Sequence, residues 1–421
     1  MDNKYAGLLI RKYRLEKNYS LEGLSKGICA LSYLSKIEKG DVNPSDEIVS
    51  RLFTALGISY EQDEVFLKTA EKKLADYFDG LAGLLYMHKE ADWLHSNEAR
   101  LINSRLYLDL SLFSLCEMRE NAEKHKLCVD NWEKDFRHQI GTLEKFKAYM
   151  SDIQLFWLYD MKWRGCDSHD EALNYAKKMC MLYDCSYGRR ALTLSYSDLG
   201  QLMQAREEGT KGYALACDEG NVRMMAEMSL LIGNIYSNRG ELSLMKKYYD
   251  RTLKIARFTD YDTSIVYYNI GATCVQYGRY KEGIDWLLKV KKDGAADGFL
   301  LCHKLVIAYG ELGDTEKCGA YFEEMRAVLK RAYDDGGGER MKKMCRMLEI
   351  RYFEDYIHSE EYEMLLRDIY ENIQQEFGYG YKHFHQSFLI ELYQKQRRYK
   401  EAYLIVEENK GFPEKAILKR F

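Results

Sequence analysis

Residues Leu24–Gly40 read LSKGICALSYLSKIEKG and contain the end of one short helix, a tight turn and a second short helix. Gly27 supplies the conformational freedom that a sharp turn needs. After the turn, Leu34 and Ile37 are three positions apart, which places both on the inner face of the second helix. Gly40 ends that helix, because glycine readily adopts the left-handed conformation at a helix C-terminus. Two short helices joined by such a turn are the arrangement that places a second helix in the major groove of DNA.

Helical patterns also flank this stretch. The first has apolar residues on one face with basic residues between them, and it breaks at Asn18. Ser59 and Gln62 have the spacing of a capping box, which indicates a helix start. We therefore predict a five-helix domain over residues 1–65. Its predicted helices are Tyr5–Lys17, a helix capped by Ser20, Leu31–Lys39, a helix after Asn43-Pro44-Ser45, and a fifth helix from Ser59.

Basic charge is concentrated at the beginning of the chain. Up to residue 40 there are 8 lysines and arginines and 4 aspartates and glutamates, a local charge of +4. The whole chain has 62 basic and 66 acidic residues, a net charge of −4. A protein that binds nucleic acid along its whole length would be strongly basic. Any contact with DNA is therefore expected in the N-terminal segment.

The motif in Leu24–Gly40, followed by Pro44-Ser45 and by RLFTALGI at residues 51–58, resembles the helix-turn-helix domain of the Xre/Cro/CI regulators. Its form, ICxxSxxSxIExG with a turn one residue shorter than the commonest version, is similar to the PlcR/Rgg group of peptide-sensing regulators, the RNPP proteins. The resemblance covers about residues 5–65. It implies that Arg14 and Glu38 form a buried ion pair.

The same resemblance places DNA contacts at and around the start of the second helix. Members of the family have polar residues there, which reach base edges. Leu31 departs from that pattern, although leucine can contact a thymine methyl group, and Ala30 cannot supply a side-chain cap. The alternative is a domain that has become a protein-docking module. The predicted contacts with bases or phosphates are Ser20, Leu31, Ser32, Tyr33, Ser35, Lys36, Lys39 and Asn43.

Proline is rare, with 2 among 421 residues, at Pro44 and Pro413. Because hairpin-rich and loop-rich folds use proline in turns, the proline-free interval indicates one helix after another. Turn-like tripeptides recur there at intervals of 35–47 residues, and tyrosine precedes five of the six by four positions. Such a period indicates a helical repeat. The tripeptides start at Gly200, Gly240, Gly278, Gly313, Glu360 and Arg397.

These repeats resemble the tetratricopeptide repeat, although the proline of that repeat is missing and the intervals exceed its ~34 residues. The resemblance implies an all-α protein in which the helix-turn-helix domain precedes an α-solenoid of degenerate helix pairs. We predict a DNA-binding domain over residues 1–65, a linker with irregular helices over 66–140, and a repeat domain for sensing and dimerisation over 141–421.

Stacked helix pairs leave a concave groove, lined by the first helix of each pair. Asparagine and glutamine there present a donor and an acceptor together, which suits the backbone of an extended peptide of any sequence. Basic residues in the groove could hold a carboxylate of that peptide. A solvated concave face is polar in any case, so no single residue decides between these interpretations. The predicted peptide contacts are Arg190, Asp198, Glu227, Asn234, Asn238, Tyr268, Asn269, Gln276, Lys304 and Arg351.

The sequence has no catalytic, cofactor or metal motif. It lacks GxxxxGK[ST], GxSxG and HExxH, and His383 and His385 are two positions apart, so on a helix they point away from each other. The 11 cysteines include no CxxC pair, which favours reduced thiols in the cytoplasm. No segment has the ~18 uncharged apolar residues that a membrane span needs. We therefore predict a cytoplasmic protein without enzyme activity, cofactor, metal or membrane contact.

The combined prediction is a homodimeric DNA-binding transcriptional regulator for quorum sensing, whose groove binds a short signalling peptide. Such a ligand changes DNA affinity only if the free and bound proteins hold their two DNA-binding domains at different spacings. Two alternatives stay open. One is a repressor that needs no peptide, and the other is an interaction scaffold that uses the repeats for dimerisation and docking.

Overall fold

The computed structural model describes residues 6–125, 130–291, 295–332 and 338–408. These residues form 23 α-helices and one 3₁₀ helix, Lys147–Tyr149, and they include no β-strand. The all-α prediction is therefore confirmed. Of the helices described, none combines the length and the apolar character that crossing a bilayer requires.

The chain divides into two compact units, one within residues 1–165 plus 181–183 and the other within 166–180 plus 184–421. The helices of the first unit are α1 (Ala6–Glu16), α2 (Leu21–Ser25), α3 (Leu31–Lys39), α4 (Asp46–Ala55), α5 (Glu64–Ala82), α6 (His88–Ser96), α7 (Glu98–Leu101), α8 (Tyr107–His125), α9 (Asp130–Glu144) and α10 (Asp152–Gly165).

The second unit consists mainly of antiparallel helix pairs. Each first helix packs along its second helix, and successive pairs stack on one another. Its helices are α11 (His169–Leu182), α12 (Ser186–Asp198), α13 (Leu202–Asp218), α14 (Val222–Asn238), α15 (Leu242–Ala256), α16 (Ser264–Gln276), α17 (Tyr280–Leu287), α18 (Ala295–Glu311), α19 (Thr315–Ala332), α20 (Glu339–Phe353), α21 (Glu360–Phe377), α22 (Tyr379–Lys395) and α23 (Tyr399–Glu408).

The predicted ion pair between Arg14 and Glu38 joins α1 to α3. Arg14 Nε and Nη2 donate to the two carboxylate oxygens of Glu38 at 2.6 and 2.8 Å, and Arg14 Nη1 donates to the carbonyl of Tyr19 at 2.9 Å. Both side chains are buried, so the two charges neutralise each other away from water. Gly7 permits the close approach of the two helices, because a Cβ there would lie 1.9 Å from the carbonyl oxygen of Ile37.

The start of the fifth helix differs from the prediction. α5 begins at Glu64 and not at Ser59, because the carboxylate of Asp63 accepts hydrogen bonds from the backbone N–H groups of Val65 and Phe66. Aspartate is a strong N-cap, and it satisfies two amides that would otherwise be unpaired. The preceding segment is fixed by tertiary contact instead, since Tyr60 stacks on Phe53 with 4.3 Å between the ring centroids.

Five of the six predicted turns between paired helices have left-handed backbone geometry. Gly200, Gly240, Gly278 and Gly313 have φ between 71 and 75°, and Arg397 has φ of 60°. The turn predicted at Glu360 is wrong, because Glu360 is already the first residue of α21, capped by Ser359. A non-helical connection separates α20 from α21 there, so the aligned tripeptide is the start of a helix.

Candidate DNA-binding helix and peptide groove

The predicted recognition helix is α3. Its buried face consists of Leu34, Ile37 and Glu38, which hold it against the rest of the domain. Gly40 ends the helix with φ of 72°, as predicted. Most of the predicted DNA contacts lie on the accessible side: Leu31, Ser32, Lys36, Lys39 and Asn43 are exposed, and Tyr33 and Ser35 are half-buried.

The N-terminal end of α3 has no side-chain cap. Ala30 makes no such hydrogen bond, as expected, and Leu31 beside it is 48% exposed. A helix N-terminus with unpaired N–H groups attracts phosphate. Among the described residues, Lys36 and Lys39 form no ion pair, so their ammonium groups are available on the same face.

Ser20 has a structural role at the start of α2. Its hydroxyl accepts a hydrogen bond from the backbone N–H of Gly23 at 2.9 Å, and the residue is exposed. The Ser20 side chain therefore already serves as an N-cap. The backbone N–H groups at the N-terminus of α2, and not the hydroxyl, are the groups that can bind a phosphate.

Arg51 fixes the turn between the two helices and was missed by the sequence analysis. Its Nη2 donates to the carbonyl of Gly27 at 2.6 Å, from α4. The residue lies within RLFTALGI, but nothing in that string indicates which carbonyl it binds. The turn geometry thus depends on a side chain 24 residues away.

The inner surface of the repeat unit contains a cavity of about 210 Å³. Its walls come from α12, α14, α16, α18 and α22, together with Tyr249 of α15 and Phe377 at the end of α21. Most of the predicted peptide contacts meet here, although they come from separate repeats. Those lining the cavity are Asp198, Asn234, Asn238, Tyr268, Asn269, Gln276 and Lys304.

Asn234 and Asn269 are held by hydrogen bonds on adjacent helices. Oδ1 of Asn234 accepts from the hydroxyl of Tyr249 at 2.7 Å and from Nδ2 of Asn269 at 3.1 Å. These bonds orient both amides, so that the Nδ2 group of Asn234 and Oδ1 of Asn269 remain for a ligand. Together they present a donor and an acceptor, the pair that a peptide group needs.

The structure does not bring three of the predicted contacts into the cavity. Nε of Arg190 donates to Glu227 at 2.8 Å, and Glu227 also accepts from the hydroxyl of Tyr261. Burial raises the pKa of Glu227, but Arg190 and Tyr261 outweigh it and the pKa is lowered. The expectation that Arg190 holds a ligand carboxylate is therefore corrected, since its charge is already neutralised within the protein.

Arg351 is corrected for the same reason. It is buried, and its Nη2 donates to Glu311 at 2.6 Å and to Glu391 at 2.8 Å. The side chain ties three repeats together at one level of the groove. Two carboxylates leave it no unbalanced charge for a ligand.

Helix α22 forms a wall of the cavity that the sequence analysis did not predict. Gly380, Tyr381 and Phe384 line the cavity, and the hydroxyl of Tyr381 lies 3.4 Å from that of Tyr268. The last helix pairs thus face the first across the groove. The Gly378-Tyr379-Gly380 tripeptide at the start of the helix was the available signal, because two glycines so close together indicate a tight backbone approach.

The contact between the beginning and the end of the repeat unit is here called the seam, formed by His169, Asp198, Gln374 and Gly378. Nε2 of Gln374 donates to the carbonyl of Asp198 at 2.9 Å, and Nε2 of His169 lies 2.6 Å from the carbonyl of Gln374. A Cβ on Gly378 would lie 2.4 Å from Oδ1 of Asp198, so the seam requires glycine there. Of the seam residues, Asp198 also lines the cavity.

Comparison with known proteins matches both parts of the chain. Residues 10–62 match the family model described as Helix-turn-helix. The transcriptional activator NprA of Geobacillus stearothermophilus is 25% identical over 377 residues, which cover 83% of this chain and 85% of that protein.

Two solved structures share the fold. A Rap protein complexed with Competence and Sporulation Factor has a TM-score of 0.64 at 11% identity, covering 84% of this chain and 99% of that chain. NprR in complex with its cognate peptide NprX has a TM-score of 0.58 at 14% identity, covering 82% and 99%. The predicted resemblance is confirmed: the chain combines an Xre-type helix-turn-helix domain with tetratricopeptide-like repeats and is similar to the peptide-sensing regulators.

Proposed function

We propose that this protein is a DNA-binding transcriptional regulator whose repeat groove binds a short signalling peptide. The observation that carries the proposal is the cavity in the repeat unit, where amide side chains from two successive inner helices, α14 and α16, meet. The same chain has a helix-turn-helix domain with an exposed recognition helix. A helix-turn-helix domain and a groove lined by amide side chains in one chain fit a ligand-controlled regulator better than a scaffold.

DNA binding is assigned to α3 and its surroundings. Ser32, Tyr33 and Ser35 face base edges in the proposal, and Leu31 contacts a thymine methyl group. Lys36, Lys39, Asn43 and the N-terminus of α2 at Ser20 contact phosphates. The regulator acts in the cytoplasm, where its operator DNA lies.

Peptide binding is assigned to the cavity. Asn234, Asn269 and Gln276 pair with peptide groups of an extended ligand, and Tyr268 and Tyr381 enclose it. Two protomers bind as a homodimer, because helix-turn-helix proteins read paired half-sites with a fixed separation. The peptide changes DNA affinity by altering the spacing of the two DNA-binding domains.

DNA binding is tested with the full chain and a random duplex DNA library. Selection should enrich sites with two half-sites about 10–10.5 base pairs apart, or a multiple of one helical turn. Lys36→Ala should bind the enriched site more weakly than the wild type. Absence of any enrichment at low salt by a folded protein would contradict the assignment.

Peptide binding is tested with a synthetic pool of random heptapeptides. The wild-type chain should retain part of the pool, and Asn269→Ala and Asn238→Ala should lose most of that retention. Gln204→Ala, on the exposed surface of α13, is the matched control and should bind as the wild type does. Asn234→Ala is less informative, because it also leaves the buried hydroxyl of Tyr249 without its acceptor.

The size of the cavity supports a second candidate function. A volume of about 210 Å³ is below the ~300–1,000 Å³ of typical ligand pockets. A repressor that needs no peptide, and uses its repeats for dimerisation and docking, would not need a larger pocket in its groove. In that case the retained peptides would leave the affinity for the selected DNA site unchanged.

A further inference from the structure

Lys304 is a buried basic residue inside the cavity. It lies on α18, only 2% of its surface is exposed, and its side chain lines the cavity. Its Nζ lies 3.1 Å from the centroid of the Phe384 ring and 5.5 Å from that of Tyr381. Within the described part of the chain, no carboxylate pairs with it.

Among the described residues, the two buried arginines have carboxylate partners. Arg351 binds Glu311 and Glu391, and Arg14 binds Glu38. A buried ammonium without a carboxylate partner is unfavourable, and an aromatic face offsets only part of the cost of its desolvation. Burial accordingly lowers the pKa of Lys304 well below its usual value.

The buried histidines His303 and His385 do not supply a negative charge that could pair with Lys304. His303 and His385 are fully buried, with 5.6 Å between their ring centroids. Burial lowers the pKa of His385 to about 3 and that of His303 well below its usual value. Both rings are therefore neutral at pH 7, and the surroundings of Lys304 contain apolar rings, neutral imidazoles and the cavity.

We propose that Lys304 is the anion-binding subsite of the groove and takes a carboxylate of the bound peptide. This inference rests on the proposed function, because it names the part of the peptide that enters the cavity most deeply. The carboxylate would restore the partner that Lys304 lacks, and its neighbours Asn269 and Gln276 would bind the adjoining peptide groups. A ligand without a carboxylate would leave the charge unpaired and would bind less tightly.

Two kinds of carboxylate are possible, the C-terminus of the peptide and an aspartate or glutamate side chain. Three synthetic heptapeptide pools separate them. The first has free C-termini and no acidic residues, the second has amidated C-termini and includes acidic residues, and the third has amidated C-termini and no acidic residues. Each pool is incubated with the full-length wild-type chain, and the retained peptides are quantified by mass spectrometry.

We expect retention from the first or the second pool to exceed that from the third by about 10- to 100-fold, the value of one charge-assisted hydrogen bond. The better of the first two pools identifies the source of the carboxylate. Lys304→Met should reduce retention of that pool to the level of the third. Lys246→Met, on the exposed face of α15, should retain it as the wild type does.

Folding of the variant is measured separately. Lys304→Met should unfold at the same temperature as the wild type or higher, because methionine removes an unpaired buried charge at nearly constant length. A lower unfolding temperature would mean that Lys304 has a partner in the fold, and it would overturn the inference.

The experiment gives one result if the Lys304 subsite is wrong and a different result if peptide binding itself is wrong. Equal retention of all three pools, or an unchanged preference in Lys304→Met, would overturn the subsite and leave peptide binding standing. Retention of none of the pools by the folded wild-type chain would overturn peptide binding itself, and the subsite with it.

Discussion

The helix-turn-helix core and the repeat cavity each bury a basic side chain, but they treat it differently. Arg14 is held by both oxygens of Glu38 and by a backbone carbonyl. Lys304 is more deeply buried, contacts aromatic rings and lines the cavity. Arg14 thus has its countercharge within the fold, whereas the proposed partner of Lys304 is a carboxylate of the bound peptide. The contrast separates residues that maintain the structure from residues that await a second molecule.

The largest effect is expected from Glu38→Gln. The substitution keeps the shape of the side chain and leaves Arg14 buried without its countercharge, so the free energy of unfolding of the helix-turn-helix domain should fall by about 3–5 kcal/mol. Urea unfolding of the full chain, followed in parallel with DNA binding, measures this loss. Glu22→Gln, at an exposed position, should change it by less than about 0.5 kcal/mol. A small loss of unfolding free energy in Glu38→Gln would show that the Arg14–Glu38 pair contributes little to stability, and the contrast with Lys304 would not hold.

Gly378→Ala tests how much the seam contributes to the stability of the repeat unit. The residue has φ of 77° and ψ of 175°, a conformation almost restricted to glycine, and its Cβ would meet Asp198. We expect the repeat unit to lose about 1–3 kcal/mol of unfolding free energy in thermal unfolding. Gly319→Ala is the control, since a Cβ there meets nothing within 4 Å and should stabilise helix α19 slightly. Equal behaviour of both variants would show that the seam does not contribute to stability.

The stability of the two regions should depend differently on pH, because the repeat unit buries histidines. Burial lowers the pKa of His383 to about 4 and that of His385 to about 3, so the folded repeat unit keeps both neutral while the unfolded chain binds protons below about pH 6.5. Stability should be constant above that pH and fall below it, by about 1.4 kcal/mol per pH unit for each histidine. Residues 1–65 contain no histidine and should show no such loss over this window.

The pH dependence is checked by urea unfolding at pH 7.0, 6.0 and 5.0. His385→Gln should reduce the slope of stability against pH by about one third of the combined contribution of the buried histidines His303, His383 and His385. His358→Gln should leave the slope unchanged, because His358 is exposed. A slope in the wild type that rises towards acid would contradict the burial of neutral imidazoles.

Lys36→Ala should have the smallest effect on stability, within about 0.5 kcal/mol, because the side chain is exposed and has no ion pair among the described residues. Its effect should appear in DNA binding, where the slope of affinity against salt concentration should decrease by about 1. Lys247→Ala, an exposed lysine of the repeat unit, should leave the slope unchanged. A loss of stability in Lys36→Ala would show that Lys36, like Arg14, stabilises the fold.

Local and periodic features could be predicted from the sequence. The cap at Ser20, the turn at Gly40 and the left-handed turns at Gly200 and Gly240 depend on residues close in sequence. The predicted start of α5 was wrong because two capping signals, at Ser59 and Asp63, lie four residues apart. The side chain of Asp63 binds two backbone amides. Sequence spacing alone does not decide between them.

Partners from other repeats were harder to predict. The pairs Arg190–Glu227 and Arg351–Glu391 are separated by 37 and 40 residues, about one repeat each. Opposite charges one repeat apart were therefore a usable signal that both arginines are neutralised. The wall formed by α22 had no such regular spacing, because Tyr268 and Tyr381 meet across 113 residues.

The seam also affects how the repeat unit folds. An open array of helix pairs gains its stability from neighbouring repeats, and it can unfold progressively from either end. Here the first and last pairs protect each other, and the contact between them forms only after a loop of 176 residues has closed. We therefore expect the repeats to unfold together in one cooperative transition, to refold slowly, and to tolerate the insertion or deletion of a whole repeat poorly.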